Sequence, residues 1–232
     1  MTDKRTLIIF GATGDLASRL LLPGLGTFLQ SGRAVPVQLI GTGRSERSPE
    51  KWKDIVTQSF ASQDVKGPEV DATIESTQFI QGDPTDPKHL EALLAAADSE
   101  PILYFALPPQ IASDICEALQ HVELPEGTTL AFEKPFGTDV ASAQALNETV
   151  LKLVPEERVH RTDHFLGRTT VLNIIGLRFA NRLFEPIWNA ENIEKVDVFY
   201  DETLGLENRA QYYDEAGAMV DMIQSHLLQI LG

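Results

Sequence analysis

The sequence contains few cysteines and few positive charges. Its 232 residues include one cysteine, Cys116, which excludes an internal disulfide framework and fits a reducing compartment. The net charge of −15 argues against nucleic-acid binding, which requires a basic face. No apolar run approaches the length of a transmembrane helix. We therefore expect a soluble, cytoplasmic protein that binds neither nucleic acid nor membrane, and any anionic ligand must be bound by a local group of cations.

The sequence also lacks a metal-binding pattern. Hydrophobic residues make up 43% of the chain and charged residues 23%, which is typical of a globular protein with a sizeable core. Carboxylates are abundant, but none of them lies at metal-ligand spacing, and His121 and His160 have no partner near them in the sequence. We predict that the protein requires no metal.

Short apolar runs alternate with longer helical patterns, which is typical of βαβ units. Strands are predicted at 6–10, 37–41, 78–81, 102–107 and 129–132, and helices from about 16, from 49, and at 89–97, 111–119 and 139–153. Continuously apolar strands indicate a parallel sheet that is covered on both faces. We predict an α/β protein with a Rossmann-type dinucleotide-binding domain over residues 1–157.

The pattern changes after about Glu156. The charged stretch 158-RVHRTDHFLGRTT-170 precedes a long apolar helix pattern at 171–183. The segment 193-IEKVDVFYDE-202 then alternates between charged and apolar residues, which predicts a strand with one solvated face, hence an antiparallel strand. We place a domain boundary between residues 157 and 158, with a second domain starting over residues 158–232.

A glycine turn follows the first predicted strand. The sequence 10-FGATGDLA-17 has G-x-x-G-x-x-A spacing and opens a helix, which is the context of a dinucleotide fingerprint. Gly11 permits the tight turn, Gly14 lets a pyrophosphate approach the backbone, and Ala17 permits close packing of the helix. The phosphates would lie at the helix N-terminus, where free amides and the dipole favour negative charge. The predicted cofactor-binding residues of this turn are Gly11, Thr13, Gly14, Asp15 and Leu16.

Residues at two other strand ends complete the predicted cofactor site. An NAD site carries an acid after its second strand, whereas 41-GTGRSERS-48 offers Arg44 and Ser45, which suit a 2′-phosphate. A solvent-exposed loop arginine is the alternative, but the absent acid favours NADP. In 130-LAFEKPFG-137, Lys134 follows a strand at its carboxyl end, where it can contact cofactor and substrate. Pro135 would fix the backbone there, with a cis bond as one option.

Two polar groups remain to be explained. Arg161, Asp163, His164 and Arg168 lie within eight residues, either as a solvated strand end before a helix or as an anion-binding pocket. Near the other end of the chain, His226 follows Asp221 by five residues, a spacing that does not align them on one face of an α-helix. A local helical distortion is required if they pair. A histidine in an apolar helix is more often a core residue, but a neighbouring Asp makes it a candidate general base.

Seven segments, in their order and spacing, resemble the glucose-6-phosphate dehydrogenase family: FGATGDLA, LIGTGRS, ALPP, FEKPFG, RTDHFLG, LRFANRLFEPIWN and DMIQSHLLQ. The resemblance covers essentially the whole chain, and DHFLG and SHLLQ are far more specific than a glycine pattern. It implies hydride transfer from C1 of glucose 6-phosphate to NADP, giving a 6-phosphoglucono-lactone in the oxidative pentose phosphate pathway. It also implies that residues 158–232 begin an α+β substrate domain with a mainly antiparallel sheet.

The resemblance also implies roles for individual residues. His226 would take the proton of the C1 hydroxyl, and Asp221 would hold its imidazole and lie at the substrate. Lys134 would position the substrate near the nicotinamide. The predicted contacts with the sugar phosphate and the sugar hydroxyls come from His164, Arg168 and Glu202.

The sequence departs from the family in three adjacent places. The family pattern D-H-Y-L-G-K-E becomes D-H-F-L-G-R-T, so Phe165, Arg168 and Thr169 replace Tyr, Lys and Glu. Phe165 lacks a hydroxyl donor for the phosphate, and Arg168 keeps the charge with a different geometry. These changes could weaken phosphate binding or shift the substrate. In the helix after the glycine turn, 18-SRL-20 also stands where the family carries several basic residues.

Family members are much longer than this chain, so we expect a fragment or a truncated relative of a parent that forms a homo-oligomer. Unpaired strand edges and exposed apolar helix faces should follow. One alternative is an oxidoreductase of a non-phosphorylated sugar, of the glucose–fructose oxidoreductase type, which GDLA together with DHFLG and SHLLQ argues against. Another is a catalytically dead NADP-binding module, which the retention of Asp221 and His226 argues against.

Overall fold

The chain forms two compact units. The computed structural model describes residues 4–33, 35–201, 214 and 217–232, and of Asp221 only the backbone. Unit 1 is Met1–Thr162 and unit 2 is Asp163–Gly232.

Unit 1 is built on a six-stranded parallel sheet. Its strands are β1 (Arg5–Phe10), β2 (Val37–Gly43), β3 (Gln78–Gln81), β4 (Pro101–Phe105), β5 (Thr129–Phe132) and β6 (Val159–Arg161). They are arranged in the order β3-β2-β1-β4-β5-β6, and every neighbouring pair is parallel. In such a doubly wound sheet, ligands bind outside the carboxyl ends of the strands where the order reverses. That point lies between β1 and β4.

Helices cover both faces of this sheet. They are α1 (Leu22–Gln30), α2 (Pro49–Ala61), α3 (Pro68–Ser76), α4 (Pro87–Ala95), α5 (Pro109–Leu119) and α6 (Val140–Leu153), with a π-helical turn at Ala17–Leu21 before α1. The start predicted for α2 is confirmed, since the Ser48 hydroxyl accepts from the Lys51 amide at 3.3 Å. Asp139 caps α6 through a reciprocal pair of hydrogen bonds with Ser142. The predicted helices are thereby confirmed, while α3 was not predicted.

The alternation of side chains along β1 supplies two apolar layers. Ile8 and Phe10 belong to the cluster under α4, α5 and α6, whereas Ile9 belongs to the cluster around Trp52 under α1 and α2. Cys116 of α5 is fully buried in the first layer, and this burial raises the pKa of its thiol to about 12. The expected core thiol is therefore confirmed.

The five predicted strands are confirmed within two or three residues at their ends. The sixth strand, β6, corresponds to the strand end that was one alternative for the charged stretch at 158–170, and it pairs with β5 through the register Leu130↔Val159. Because β6 is part of the sheet, unit 1 extends to Thr162.

Unit 2 is helical in its described part. It contains α7 (Thr169–Phe179), a π-helical segment (Met219–Leu227) and the short helix α8 (Leu228–Leu231) that continues it. The helix predicted at 171–183 is confirmed, although it ends at Phe179. The strand predicted at 193–202 is wrong for residues 193–201, which carry no strand. Alternating polarity indicates only that one side of a segment faces solvent. A strand also needs a neighbouring strand to pair with its backbone N–H and C=O groups, and the described part of unit 2 contains no such strand.

Apolar side chains are exposed on unit 2. Leu172 and Phe179 of α7 are 53% and 65% exposed, and Phe199 is 86% exposed. The exposed apolar helix faces expected from the sequence are thus present. Among the described residues, no helix is both long and apolar enough to cross a membrane.

Candidate active site

The glycine turn of unit 1 requires glycine at position 11. Gly11 has φ +79°, and a Cβ there would lie 2.5 Å from the carbonyl oxygen of Ala106. The turn closes through the Gly14 amide, which donates to the Gly11 carbonyl at 2.9 Å. Side chains are therefore excluded at the point where the chain passes from β1 into the next helix.

The same turn fits a pyrophosphate. Gly14 and Asp15 are exposed and Leu16 is half-buried, so the first turn of the helix opens to solvent. Thr13 lies beside the end of β2, with its hydroxyl 3.5 Å from where a Cβ of Gly43 would be. Exposed backbone and the absence of a side chain at position 14 are what close approach of an anion requires.

Arg44 and Ser45 follow the carboxyl end of β2, and both are exposed. The Gln81 side-chain amide donates to the Arg44 carbonyl at 3.2 Å, which anchors the backbone at this position. The pKa of the Asp83 carboxyl is lowered chiefly by hydrogen bonds from Thr85, and the Arg44 guanidinium adds to the effect. Arg44 thus presents a cation on a fixed backbone at the edge of the predicted cofactor site.

Lys134 follows β5 and is half-buried. Its peptide bond to Pro135 is cis, which is the option considered from the sequence. The neighbouring Glu133 accepts a hydrogen bond from the Tyr104 hydroxyl, which links the carboxyl ends of β4 and β5. The pKa of the Tyr104 phenol is raised mainly by burial and further by the Glu133 carboxylate. The turn that carries Lys134 is therefore held at the carboxyl edge of the sheet.

In unit 2, His226 lies beside a carboxylate that was not assigned to it from the sequence. Its Nδ1 is 4.0 Å from Oδ1 of Asp163, and the two side chains are 10% and 7% exposed. The same Oδ1 accepts from the Phe165 amide at 2.9 Å, which fixes the orientation of the carboxylate. A buried imidazole beside a fixed carboxylate is the arrangement of a histidine general base.

The helical distortion expected around His226 is present. The segment Met219–Leu227 is π-helical: the Leu228 amide donates to the Ile223 carbonyl, and the Ser225 hydroxyl donates to the Val220 carbonyl at 2.7 Å. In this geometry, residues five apart in the sequence lie one turn apart. The Asp221 side chain lies outside the described part of the chain, so its pairing with His226 stays a prediction.

An aromatic layer packs around the imidazole. The Phe165 ring stacks on His226 with centroids 3.9 Å apart at an angle of 12°, and His164 meets His226 edge-on at 5.1 Å. The guanidinium carbon of Arg168 lies 4.6 Å from the centre of the Phe165 ring. Phe165 and His226 are buried while His164 and Arg168 are exposed, so two groups that can bind an anion border a buried base.

The four charged residues singled out in the sequence separate into two sets. Arg161 belongs to unit 1, where it pairs with Glu156 at 2.8 Å and lowers the pKa of that carboxyl. Arg161 is therefore part of a surface ion pair in unit 1, and its inclusion in the predicted pocket stays a prediction. Asp163, His164 and Arg168 lie together in unit 2 directly before α7, whose N-terminus has no side-chain cap. The dipole of this helix adds to the attraction for an anion.

Sequence patterns did not fully identify two residues of unit 2. Asp163 was noted only as a charge in the 158–170 stretch, and Tyr200 was not considered. Glu202 lies outside the described residues, so its predicted role stays untested. No group of three His, Cys, Asp or Glu side chains in the described ranges could share a metal ion.

Comparison with protein families identifies both units. Residues 8–173 match the family described as glucose-6-phosphate dehydrogenase, NAD binding domain, and residues 175–232 match glucose-6-phosphate dehydrogenase, C-terminal domain. The chain belongs to the glucose-6-phosphate dehydrogenase family. The predicted nicotinamide dinucleotide fold and the predicted start of a second domain are both confirmed by this match.

Individual glucose-6-phosphate dehydrogenases are similar over nearly all of the chain. Those of Rhizobium meliloti and Gluconobacter oxydans are 39% and 41% identical over 97% of it. The crystal structure of the Mycobacterium avium protein is 31% identical, with a TM-score of 0.82 over 98% of this chain and 50% of its own. A structure described as glucose-6-phosphate dehydrogenase in complex with its substrate glucose-6-phosphate also has a TM-score of 0.82, at 30% identity. The chain spans about half the length of these relatives, 48% for the first two.

Proposed function

We propose that this chain carries the cofactor-binding domain and the catalytic base of an NADP-dependent glucose-6-phosphate dehydrogenase. The observation that carries the proposal is the buried His226, with Nδ1 4.0 Å from the Asp163 carboxylate and with His164 and Arg168 at its border. A base and an anion-binding group side by side match a substrate that has both a hydroxyl to be oxidised and a phosphate. Membership of the family supports the same assignment.

The base acts through its outer nitrogen. Because Nδ1 lies on the side of the Asp163 carboxylate, at 4.0 Å, the Nε2 of neutral His226 is the atom that would accept the proton of the C1 hydroxyl. The imidazolium that results is stabilised by the negative charge of Asp163. This electrostatic interaction is strong because both side chains are buried. Phe165 stacks on the ring and restricts its rotation. Loss of this proton, together with departure of the C1 hydrogen as a hydride, converts the C1 hydroxyl to a carbonyl, and the proton stays on the protein.

Nicotinamide supplies the hydride acceptor in this chemistry. On the protein side, the glycine turn at Gly11 and Gly14 would hold the pyrophosphate, and Thr13, Asp15 and Leu16 would line it. Arg44 and Ser45 would bind the 2′-phosphate, since an arginine on an anchored backbone offers two parallel donors to a phosphate. Lys134 would contact both cofactor and substrate. Glu202 would contact the sugar hydroxyls, as the family resemblance implies, and Asp221 would lie at the substrate.

The sugar phosphate would bind where unit 2 begins. His164 and Arg168 are exposed donors, and the uncapped N-terminus of α7 lies next to Arg168. These local groups attract a dianion despite the net charge of −15. A cytoplasmic location remains a prediction that rests on the single cysteine. Homo-oligomerisation remains a prediction for a longer parent protein.

The test is NADPH formation by the 232-residue chain with glucose 6-phosphate, with glucose as the comparison. His226→Asn should lower the rate by about 10²–10⁴-fold, the usual contribution of a general base. His121→Asn, an exposed histidine in unit 1, should leave it unchanged. Preference for glucose would favour the oxidoreductase of a non-phosphorylated sugar. An unchanged rate in His226→Asn would contradict the assignment of the base.

A further inference from the structure

We propose that the hydroxyl of Tyr200 is a ligand of the phosphate group of the substrate, acting jointly with Arg168. The inference rests on the proposed function and adds to it a residue that neither the sequence motifs nor the family match assigns. It concerns the surface formed by Phe165, Arg168 and Tyr200 in unit 2.

The three side chains form one packed group. The Tyr200 ring lies 5.1 Å from the Phe165 ring, and the guanidinium carbon of Arg168 lies 4.6 Å from the centre of Phe165 and 5.2 Å from that of Tyr200. Nη2 of Arg168 donates to the Tyr200 hydroxyl oxygen at 3.3 Å. The guanidinium is thus held by two aromatic faces and one hydrogen bond, which reduces the entropy lost when it binds a ligand.

This geometry places two kinds of donor next to each other. A guanidinium has five N–H donors, of which one is directed at Tyr200, and a phenol hydroxyl can both accept and donate a hydrogen bond. Accepting from a cation polarises that O–H and makes it a better donor. A phosphate oxygen bound by Arg168 would therefore be within reach of the Tyr200 hydroxyl, and the exposed His164 borders the same surface.

Tyr200 also accounts for the departure at position 165. Phe165 is buried and stacks on His226, so it contributes a ring but no hydrogen bond to the phosphate site. The adjacent Tyr200 is only partly buried and brings a hydroxyl to the neighbouring position. Phe165 then supplies the aromatic packing against the base, and Tyr200 supplies the phenolic donor.

The alternative is that Tyr200 only packs against Arg168, and Tyr200→Phe separates the two possibilities because it keeps the ring and removes one oxygen. Binding of glucose 6-phosphate, inorganic phosphate and glucose to the chain is measured by titration calorimetry, without reliance on turnover. We expect Tyr200→Phe to weaken binding of both phosphate compounds by about tenfold or more, the effect of a lost hydrogen bond to a charged group. Glucose binding should be unchanged. Phe199→Leu, a change at the exposed neighbour, should affect none of the three.

Three outcomes of the binding experiment overturn the inference. Equal phosphate affinities in Tyr200→Phe would exclude the hydroxyl as a ligand, and a parallel loss of glucose binding would indicate a structural role. Failure of the unaltered chain to bind either phosphate compound would exclude the site. NADPH formation then tests the proposed function separately: a chain with Tyr200-dependent phosphate binding that does not oxidise glucose 6-phosphate would retain this inference and lose the proposed activity.

Discussion

At the scale of single residues, Asp163 shows how a short polar stretch builds a site. One of its oxygens accepts from the Phe165 amide and lies 4.0 Å from the imidazole of His226. The first contact orders the turn that carries His164 and Arg168, and the second orients the base. A single carboxylate therefore connects the order of the turn that carries His164 and Arg168 to the position of the proposed base.

Replacing this carboxylate should separate its two roles. Asp163→Asn keeps an oxygen for the Phe165 amide but loses the charge that stabilises protonated His226. We expect kcat to fall by about 10²–10⁴-fold with a smaller change in KM for glucose 6-phosphate. Asp201→Asn, an exposed carboxylate in the same unit, is the matched control. A large loss of kcat in Asp221→Asn with none in Asp163→Asn would instead support the pairing first expected from the sequence.

Arg44 is the residue proposed to select NADP over NAD. Arg44→Ala should weaken NADP binding by about 10- to 100-fold, because a hydrogen-bonded charge at the 2′-phosphate is lost, and should leave NAD binding unchanged. The measurement is the ratio of the two dissociation constants, with Arg33→Ala as an exposed control. Equal losses for both cofactors would show that Arg44 supports the fold of the site rather than its selectivity.

At the scale of elements, α4 is bound to the carboxyl ends of β2 and β3 through His89. The Thr42 hydroxyl donates to the Ile80 carbonyl at 2.8 Å, so it accepts from Nε2 of His89 at 2.9 Å. Burial lowers the pKa of His89 below the ordinary 6.5, although Asp86 and Asp83 oppose the shift. The neutral ring is therefore the form that the folded protein prefers.

This preference predicts an acid-sensitive unit 1. Since the folded pKa of His89 is lowered, its contribution to stability is present above the ordinary pKa of 6.5 and is lost as the pH falls through the folded value. Denaturant midpoints should decrease between about pH 7 and about pH 5, and less steeply in His89→Gln, which keeps a donor but cannot titrate. His121→Gln, at an exposed position, should show the unaltered slope. Parallel slopes in all three proteins would exclude His89 as the source.

Local patterns account for most elements of unit 1 but not for all. The strands were predictable because buried parallel strands are continuously apolar. Helix α3 was missed because its sequence, PEVDATIES, is short and rich in β-branched residues with low helix propensity. Its stability comes from tertiary packing, with Val70 and Thr73 buried and the Thr73 hydroxyl donating to the Val37 carbonyl. These packing contacts cannot be predicted from the nine residues of the helix alone.

The site was predictable only as far as its parts are local in the sequence. The glycine turn and the charged stretch at 158–170 are compact motifs, and the distortion around His226 followed from the five-residue spacing. The contacts of His226 with Asp163 and of Arg168 with Tyr200 join residues far apart in the chain. Such contacts depend on how α7 and the π-helical segment pack, which periodicity does not specify.

At the scale of the whole molecule, the two units differ in how well they bury their apolar residues. Unit 1 has two closed apolar layers, and Ile8, Trp52 and Cys116 have no exposure. Unit 2 leaves Leu172, Phe179 and Phe199 largely in solvent. Apolar surface of this kind is typical of protein contacts. We therefore expect the stability of unit 1 to be intrinsic and that of unit 2 to depend on its surroundings.

The single buried thiol of unit 1 makes this expectation measurable. With a pKa raised to about 12, Cys116 has almost no thiolate at neutral pH and no access to reagents. We expect labelling by an aromatic disulfide to be slow in native buffer and faster in mild denaturant. Addition of NADP should lower the labelling rate, because a ligand of the folded state suppresses opening. Fast labelling in native buffer would contradict the buried position.

Since the chain offers one sulfhydryl, every labelling event has the same origin. Labelling of the purified protein therefore reports the opening of the nucleotide-binding unit without an added tag. Whatever happens in unit 2, the colour released per molecule counts openings of unit 1 alone.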